Sequence, residues 1–410
     1  MKKMIGYELK KIFVKPGGRI ALLLLALLLG VTCFFATDKG YINEHGERET
    51  GIGAMRKLRN MKKEWEGELT EETLAKVIAE NARINSLPGY WGEDGWSTDI
   101  GYGWKQGIND ICDMICRAFG AFREYDYRRV DSLLPEDAEQ FYGRRICQLK
   151  EWLDGEAAEQ FSEEEKAFLI ERYEKLETPL YYDYMDGWDQ LFEYAPTIIM
   201  ITVLILGFLA AGIFSGEFQL KADAIFFSSR HGRGKASRAK LWAGLIMTTV
   251  VYWVMMFLYS AIVLGRMGAD GAKYAIQITG RGWKSFYNIT ILQEYLLVLS
   301  GGYLGVLFML LLVMLVSAKT KSSVLAVTIP FFLLFLPNFL MMIPGSLISK
   351  ICGLLPDQLL QMNLVTCYFN LYQIGGKVMG AAPVLIAVYL ILSVLIGPMV
   401  YRIYRKAAAG

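Results

Sequence analysis

The sequence has 410 residues, 54% hydrophobic and 20% charged, with a formal net charge of +2 and a mean hydropathy of +0.30. The averages conceal a division: residues 38–193 carry 35 of the 41 acids but only 20 of the 43 basic residues, a balance of −15 against +17 for the rest. No nucleic-acid partner is expected, and six cysteines without a CxxC pair exclude a metal centre or thioredoxin-like site of that spacing.

Residues 1–18 come first. Met4, Ile5, Leu9, Ile12 and Phe13 recur at helical spacing with Lys2, Lys3, Lys10 and Lys11 between them. This is the pattern of a cytoplasmic interfacial helix whose lysines face anionic lipid; an unstructured basic leader is the alternative. Pro16, Gly17 and Gly18 permit a turn into the apolar run 19–36. That run resembles an export signal, but no small-x-small cleavage site clearly follows, so it reads as an uncleaved first span.

Residues 37–194 read as a mainly helical, water-exposed domain. Glu64 to Asn85 and Pro135 to Tyr173 place apolar residues three and four apart among Glu, Lys, Arg and Ala. Ser162 followed by Glu163, Glu164 and Glu165 predicts a capping box. The stretch 86–107 is rich in Gly, Trp and Tyr and predicts an irregular loop whose aromatics pack on the domain or meet headgroups. Cys112 and Cys116 lie one helical turn apart and are read as unpaired and partly buried, with pairing to Cys147 as the alternative. The many carboxylates read as a solvated acidic surface.

Five further spans are expected at 195–216, 241–265, 293–316, 322–343 and 381–401, each long enough at 1.5 Å per residue to cross about 30 Å of hydrocarbon. The turn between the fourth and fifth holds Lys319 and Lys321. Glu294, at the start of the fourth, is the exception to nearly charge-free spans and reads as an interfacial cap. Pro330 and Pro337 predict a bend in the fifth span, either lining a route or packing the bundle. Residues 344–380 form an outer cap link and 402–410 a cytoplasmic tail. The scarcity of ionisable groups at mid-membrane depth argues against an ion-driven carrier.

Orientation follows from basic residues near the span ends. Seventeen of them, against Glu8, Glu217 and Asp223, fall on the side that the positive-inside rule makes cytoplasmic. Both termini are then cytoplasmic and 37–194 is extracytoplasmic. The link 266–292, with Arg266, Lys273, Arg281 and Lys284 against Asp270, argues locally the other way and is outvoted. His45 and His231 lie on opposite sides, which removes a His–His site, and no HExxH or Ser–His arrangement occupies the spans, so no enzymatic activity is expected of this chain. The fold class is an all-α integral membrane protein of six transmembrane helices with a large extracytoplasmic domain between helices 1 and 2.

The link 217–240 is the most informative. It opens with Glu217, passes Asp223 and the apolar Ala224 to Phe227, continues through Ser228, Ser229, Arg230, Gly232 and Arg233, and closes with Ala239 and Lys240. By physics alone it is either a knob for a cytoplasmic protein or a lipid-contacting loop. In these residues the chain resembles the membrane subunits of bacterial ATP-binding-cassette exporters of the ABC-2 class, with Ala222 where glycine is usual. The resemblance implies a permease subunit in the cell membrane that binds no cofactor itself. ATP and Mg would be held by a separate cytoplasmic ABC ATPase, since this sequence has no GxxxxGK[ST] loop. It also implies a second permease subunit, same or homologous, and makes Glu217, Asp223, Ser228, Ser229, Arg230, Gly232, Arg233 and Lys240 the ATPase-coupling segment. The competing reading is a membrane-anchored sensor or binding scaffold that uses the 37–194 domain.

Overall fold

The computed structural model describes residues 1–340 and 347–406. Its helices are, in chain order, α1 (Lys2–Val14), α2 (Pro16–Ala36), α3 (Ile52–Lys63), α4 (Glu71–Asn85), α5 (Asp99–Lys105), α6 (Asn109–Phe119), α7 (Phe141–Asp154), α8 (Glu163–Glu174), α9 (Asp186–Gln219), α10 (Asp223–Ser228), α11 (Ser237–Met267), α12 (Ile291–Thr320), α13 (Ser323–Leu340), α14 (Leu347–Cys352), α15 (Pro356–Leu360), α16 (Met362–Val365) and α17 (Ala381–Lys406). Among the described residues five helices, α2, α9, α11, α12 and α17, are long and apolar enough to cross a membrane. This is the architecture of a multi-pass helical membrane protein. The fifth expected span, 322–343, corresponds to α13, which contains both prolines; its residues 341–343, the start of the cap link at 344–346 and the tail residues 407–410 lie outside the described residues.

The break between α1 and α2 falls at Lys15, which is extended, with Pro16 opening the next helix. Proline is tolerated there because the first amides of a helix have no intrahelical acceptor. Gly18 lets the two helices close tightly: a Cβ on it would lie 2.1 Å from the Ile12 carbonyl oxygen. In the bundle, α12 packs against α9, α11, α13 and α17. Polar side chains join the helices where apolar packing alone gives little specificity in lipid. The Ser317 hydroxyl donates to the Ala211 carbonyl and accepts from the Ser215 amide, and the Tyr259 hydroxyl donates to the Gln190 carbonyl.

At one end of the bundle sits the helical domain, α3 to α8, tied at its base by an antiparallel pair of two-residue strands, β3 (Gly67–Glu68) and β4 (Tyr181–Tyr182), after a hairpin of β1 (Tyr41–Ile42) and β2 (Arg48–Glu49). Ser162 and Glu165 make the reciprocal bonds of a capping box. Cys112 and Cys116 are buried and unpaired in α6, and Cys147 is exposed and unpaired. The aromatic stretch resolves into a turn bridged at Trp91 and Ser97, followed by α5, with Tyr90 buried and Trp91 and Trp96 exposed.

The domain is seated on the link after α11. Buried Arg145 donates to the Trp283 and Ser285 carbonyls while its guanidinium lies 3.8 Å from the Tyr173 ring centre. Arg59 pairs with Asp270 at 2.7 Å. Glu294 differs from its expected role: it is fully buried, receives both terminal nitrogens of Arg281 at 2.7 and 2.8 Å, and accepts from the Thr366 hydroxyl. The cap of α12 is instead built by Thr290 and Gln293. Burial of the helix start under the link and α16 demands a cation for Glu294, because a carboxylate removed from water is costly unless paired. On the same side, α15 and α16 sit over Gly301 and Gly305 of α12, where a Cβ would already be 2.7 Å from Met362 and Leu360. A hairpin of β5 (Leu371–Ile374) and β6 (Lys377–Gly380) leads into α17.

Candidate coupling site

At the opposite end of the bundle, α1, the last turn of α9, the first turn of α11 and the end of α17 converge. Lys240 is 2% exposed, and its ammonium donates to Glu217 at 2.9 Å, to the Ile213 carbonyl at 2.9 Å and to Glu8 at 3.3 Å. Lys11 donates to the same Glu217 oxygen at 2.7 Å. An ammonium has three protons to place, and three acceptors offset the loss of its water. The network makes one unit of three helices distant in sequence. A cavity of about 660 Å³ lies beside it, bounded by the α1–α2 elbow, α9 and the start of α13.

From Glu217 the chain turns through Lys221, whose φ is +53°, while Ala222 has an ordinary φ of −102°. The tight turn therefore needs no glycine at 222. Asp223 is buried at the first turn of α10. Phe226 and Phe227 face inward, with ring centres 5.9 and 5.2 Å from Tyr404, which also meets Phe214 at 4.7 Å and Phe218 at 6.1 Å. Ser228 and Ser229 turn their hydroxyls back to the Ile225 and Phe226 carbonyls. These bonds satisfy acceptors that the end of a short helix leaves open.

Gly232 is buried, and a Cβ there would lie 1.8 Å from the Phe226 carbonyl oxygen, so only glycine fits. Ser237 donates to the Gly232 carbonyl at 2.7 Å. Arg233 donates to the Arg405 carbonyl and lies 5.0 Å from the Phe227 ring. The structure thus brings Glu217 and Lys240 into one buried network and seats Asp223, Gly232 and Arg233 around the aromatic cluster. Arg230 remains at the surface, with Ser228 and Ser229 also exposed.

What lies exposed at this end is a small knob. Ile225 is 77% exposed and Leu220 is largely exposed, and the basic Lys221, Arg230, Lys235 and Arg238 of the same link and the start of α11 are exposed too. Lys319, Lys321, Arg402 and Arg405 extend the basic surface at the same end. Glu8, Lys11 and Tyr404 belong to the site although sequence reasoning did not select them. Lys11 and Glu8 sit three apart on α1, a spacing that places them on one face, but the many neighbouring lysines mask the signal. Tyr404 is an aromatic in a basic tail, and nothing local distinguishes it.

Among the described residues no three His, Cys, Asp or Glu side chains gather as metal ligands. No family model, curated protein or solved structure matches the chain.

Proposed function

We propose that the chain is the membrane subunit of an ATP-driven exporter of the ABC-2 class, with α10 and its flanking turns as the segment that meets a separate cytoplasmic ATPase. The observation that carries this reading is the knob: an exposed isoleucine in a basic link, packed onto the bundle through Phe226 and Phe227. Exposed apolar residues ringed by charge are the anatomy of a docking surface. Its rigid footing is what mechanical coupling requires, because the Glu217–Lys240 network and the Tyr404 cluster tie α10 to α1, α9, α11 and α17. On this reading the knob end and both termini are cytoplasmic, the α3–α8 domain is extracytoplasmic, ATP and Mg²⁺ belong to the ATPase, and a second permease subunit completes the route.

The test is co-purification with the ATPase encoded nearest to this chain, using the parent and Ile225→Asp. The parent is expected to retain the ATPase and to stimulate its hydrolysis; the variant is expected to fold and to lose both. A deletion of 222–235 that kept the complex and full ATP-coupled transport would defeat the assignment.

A further inference from the structure

The helical domain encloses a cavity of about 510 Å³ where it meets the first turns of α9 and the link after α11. That volume suits a small organic ligand. Its rim carries Trp91, Trp96, Tyr102, Tyr125 and Tyr127, each more than 40% exposed. Three of these rings already surround a positive charge: the Arg128 guanidinium lies 5.2 Å from Trp91, 5.4 Å from Trp96 and 5.8 Å from Tyr127. Arg117 lies 4.6 Å from Tyr125. These separations are within the reach of cation–π attraction, so the rim is an environment that favours cations.

The charges on the wall lead to the same chemistry. Asp113 is taken by Arg117 at 2.8 Å, Asp131 by Lys105 at 3.5 Å, and Asp110 by Lys62 at 2.7 Å. Arg281 is committed to Glu294. Asp189 and Glu193 also line the cavity, and neither carboxylate makes a side-chain hydrogen bond or ion pair among the described residues. They stand four apart on α9, on one face, where two like charges repel each other. A cation placed beside them relieves that repulsion and replaces water lost from the half-buried Asp189.

We propose that this cavity binds an organic cation, an amine or quaternary ammonium compound whose charge is met by Asp189 and Glu193 and whose apolar part rests on the aromatic rim. The occupant touches the domain, the start of α9 and the link at once, so its binding energy bears directly on a membrane-crossing helix. The site is independent of the export assignment and stands or falls separately from it.

The test is calorimetric titration of the full chain in dodecyl maltoside micelles, which carry no ammonium group, with benzyltrimethylammonium, benzyl alcohol and benzoate. Saturable binding of the ammonium compound alone is expected. Asp189→Asn with Glu193→Gln is expected to weaken it by about tenfold or more, and Trp96→Ala, at an exposed rim position, to weaken it severalfold, as loss of an ion pair and of aromatic contact with the apolar part implies. Arg128→Gln, which removes the resident cation from the rings, is expected to retain or tighten binding. The proposal is overturned if the folded double variant binds as the parent does, if Trp96→Ala leaves affinity unchanged, if benzyl alcohol binds as well as the cation, if benzoate is preferred and lost in Arg128→Gln, or if none of the three compounds saturates.

Discussion

Lys240 illustrates how a polar side chain is held inside the bundle: Glu217, Glu8 and the Ile213 carbonyl all accept hydrogen bonds from it. Lys240→Met leaves Glu217 and Glu8 with Lys11 alone, and breaking a buried pair from one side costs roughly 3–5 kcal/mol. The expected result is a lowered unfolding midpoint in detergent, partly restored when Glu217→Gln is added. Asp270 makes a pH-dependent contact at the other end. Burial pushes its carboxyl up, but Arg59 and Lys63 outweigh that and hold it below the ordinary value of 3.8. A depressed folded-state value means that the contribution is complete above 3.8 and is lost as pH falls through the folded value. Asp270→Asn is therefore expected to be less stable than the parent at pH 7, with the two unfolding midpoints converging as the pH is taken below 3.8.

At the scale of elements, α10 is too short to hold itself as an isolated helix, since one or two turns do not repay nucleation. It persists because Phe226 and Phe227 are received by the Tyr404 cluster. Tyr404→Ala removes the ring that four phenylalanines meet and is expected to cost about 3–5 kcal/mol. Its buried hydroxyl has no hydrogen-bond partner among the described residues, so Tyr404→Phe is expected to be neutral or stabilising. Thermal unfolding of the two variants distinguishes a packing role from a polar one. The α1–α2 elbow is a comparable case: extended Lys15, Pro16 and the close approach at Gly18 together set its geometry.

For the whole molecule, the α3–α8 domain, the link after α11 and the segment α14 to β6 contact one another at one end, while α1, the α10 knob and the end of α17 meet at the other. That division gives a native reporter. Cys147 is exposed on the domain, whereas Cys33, Cys112, Cys116 and Cys352 are buried. On the proposed orientation, a membrane-impermeant maleimide is expected to label Cys147 in intact cells, and an Arg230→Cys variant only to gain label at its new site after permeabilisation. Labelling of both positions from outside would reverse or abolish the assignment of sides.

Helix positions and the extra-bundle domain were legible in the residues themselves. Apolar runs cannot be satisfied in water, and lysines such as Lys319 and Lys321 cannot be placed cheaply in hydrocarbon, so the existence of long apolar helices is written locally, although α9 starts at Asp186, nine residues before the apolar run begins. The Ser162 cap was legible for the same reason, because its partners are three residues apart. Glu294 was not: its role depends on Arg281 and Thr366, brought to it by chain folding. The same holds for Tyr404 under α10 and for unpaired Asp189 and Glu193 beside rings from a distant loop. Hydropathy and capping are set by neighbours along the chain, whereas the pairing of a buried charge and the shape of a cavity are set by neighbours in space. The residues alone determined which helices are long and apolar enough to cross a membrane, and only the tertiary structure decided which charges are paired and which stand without a side-chain partner.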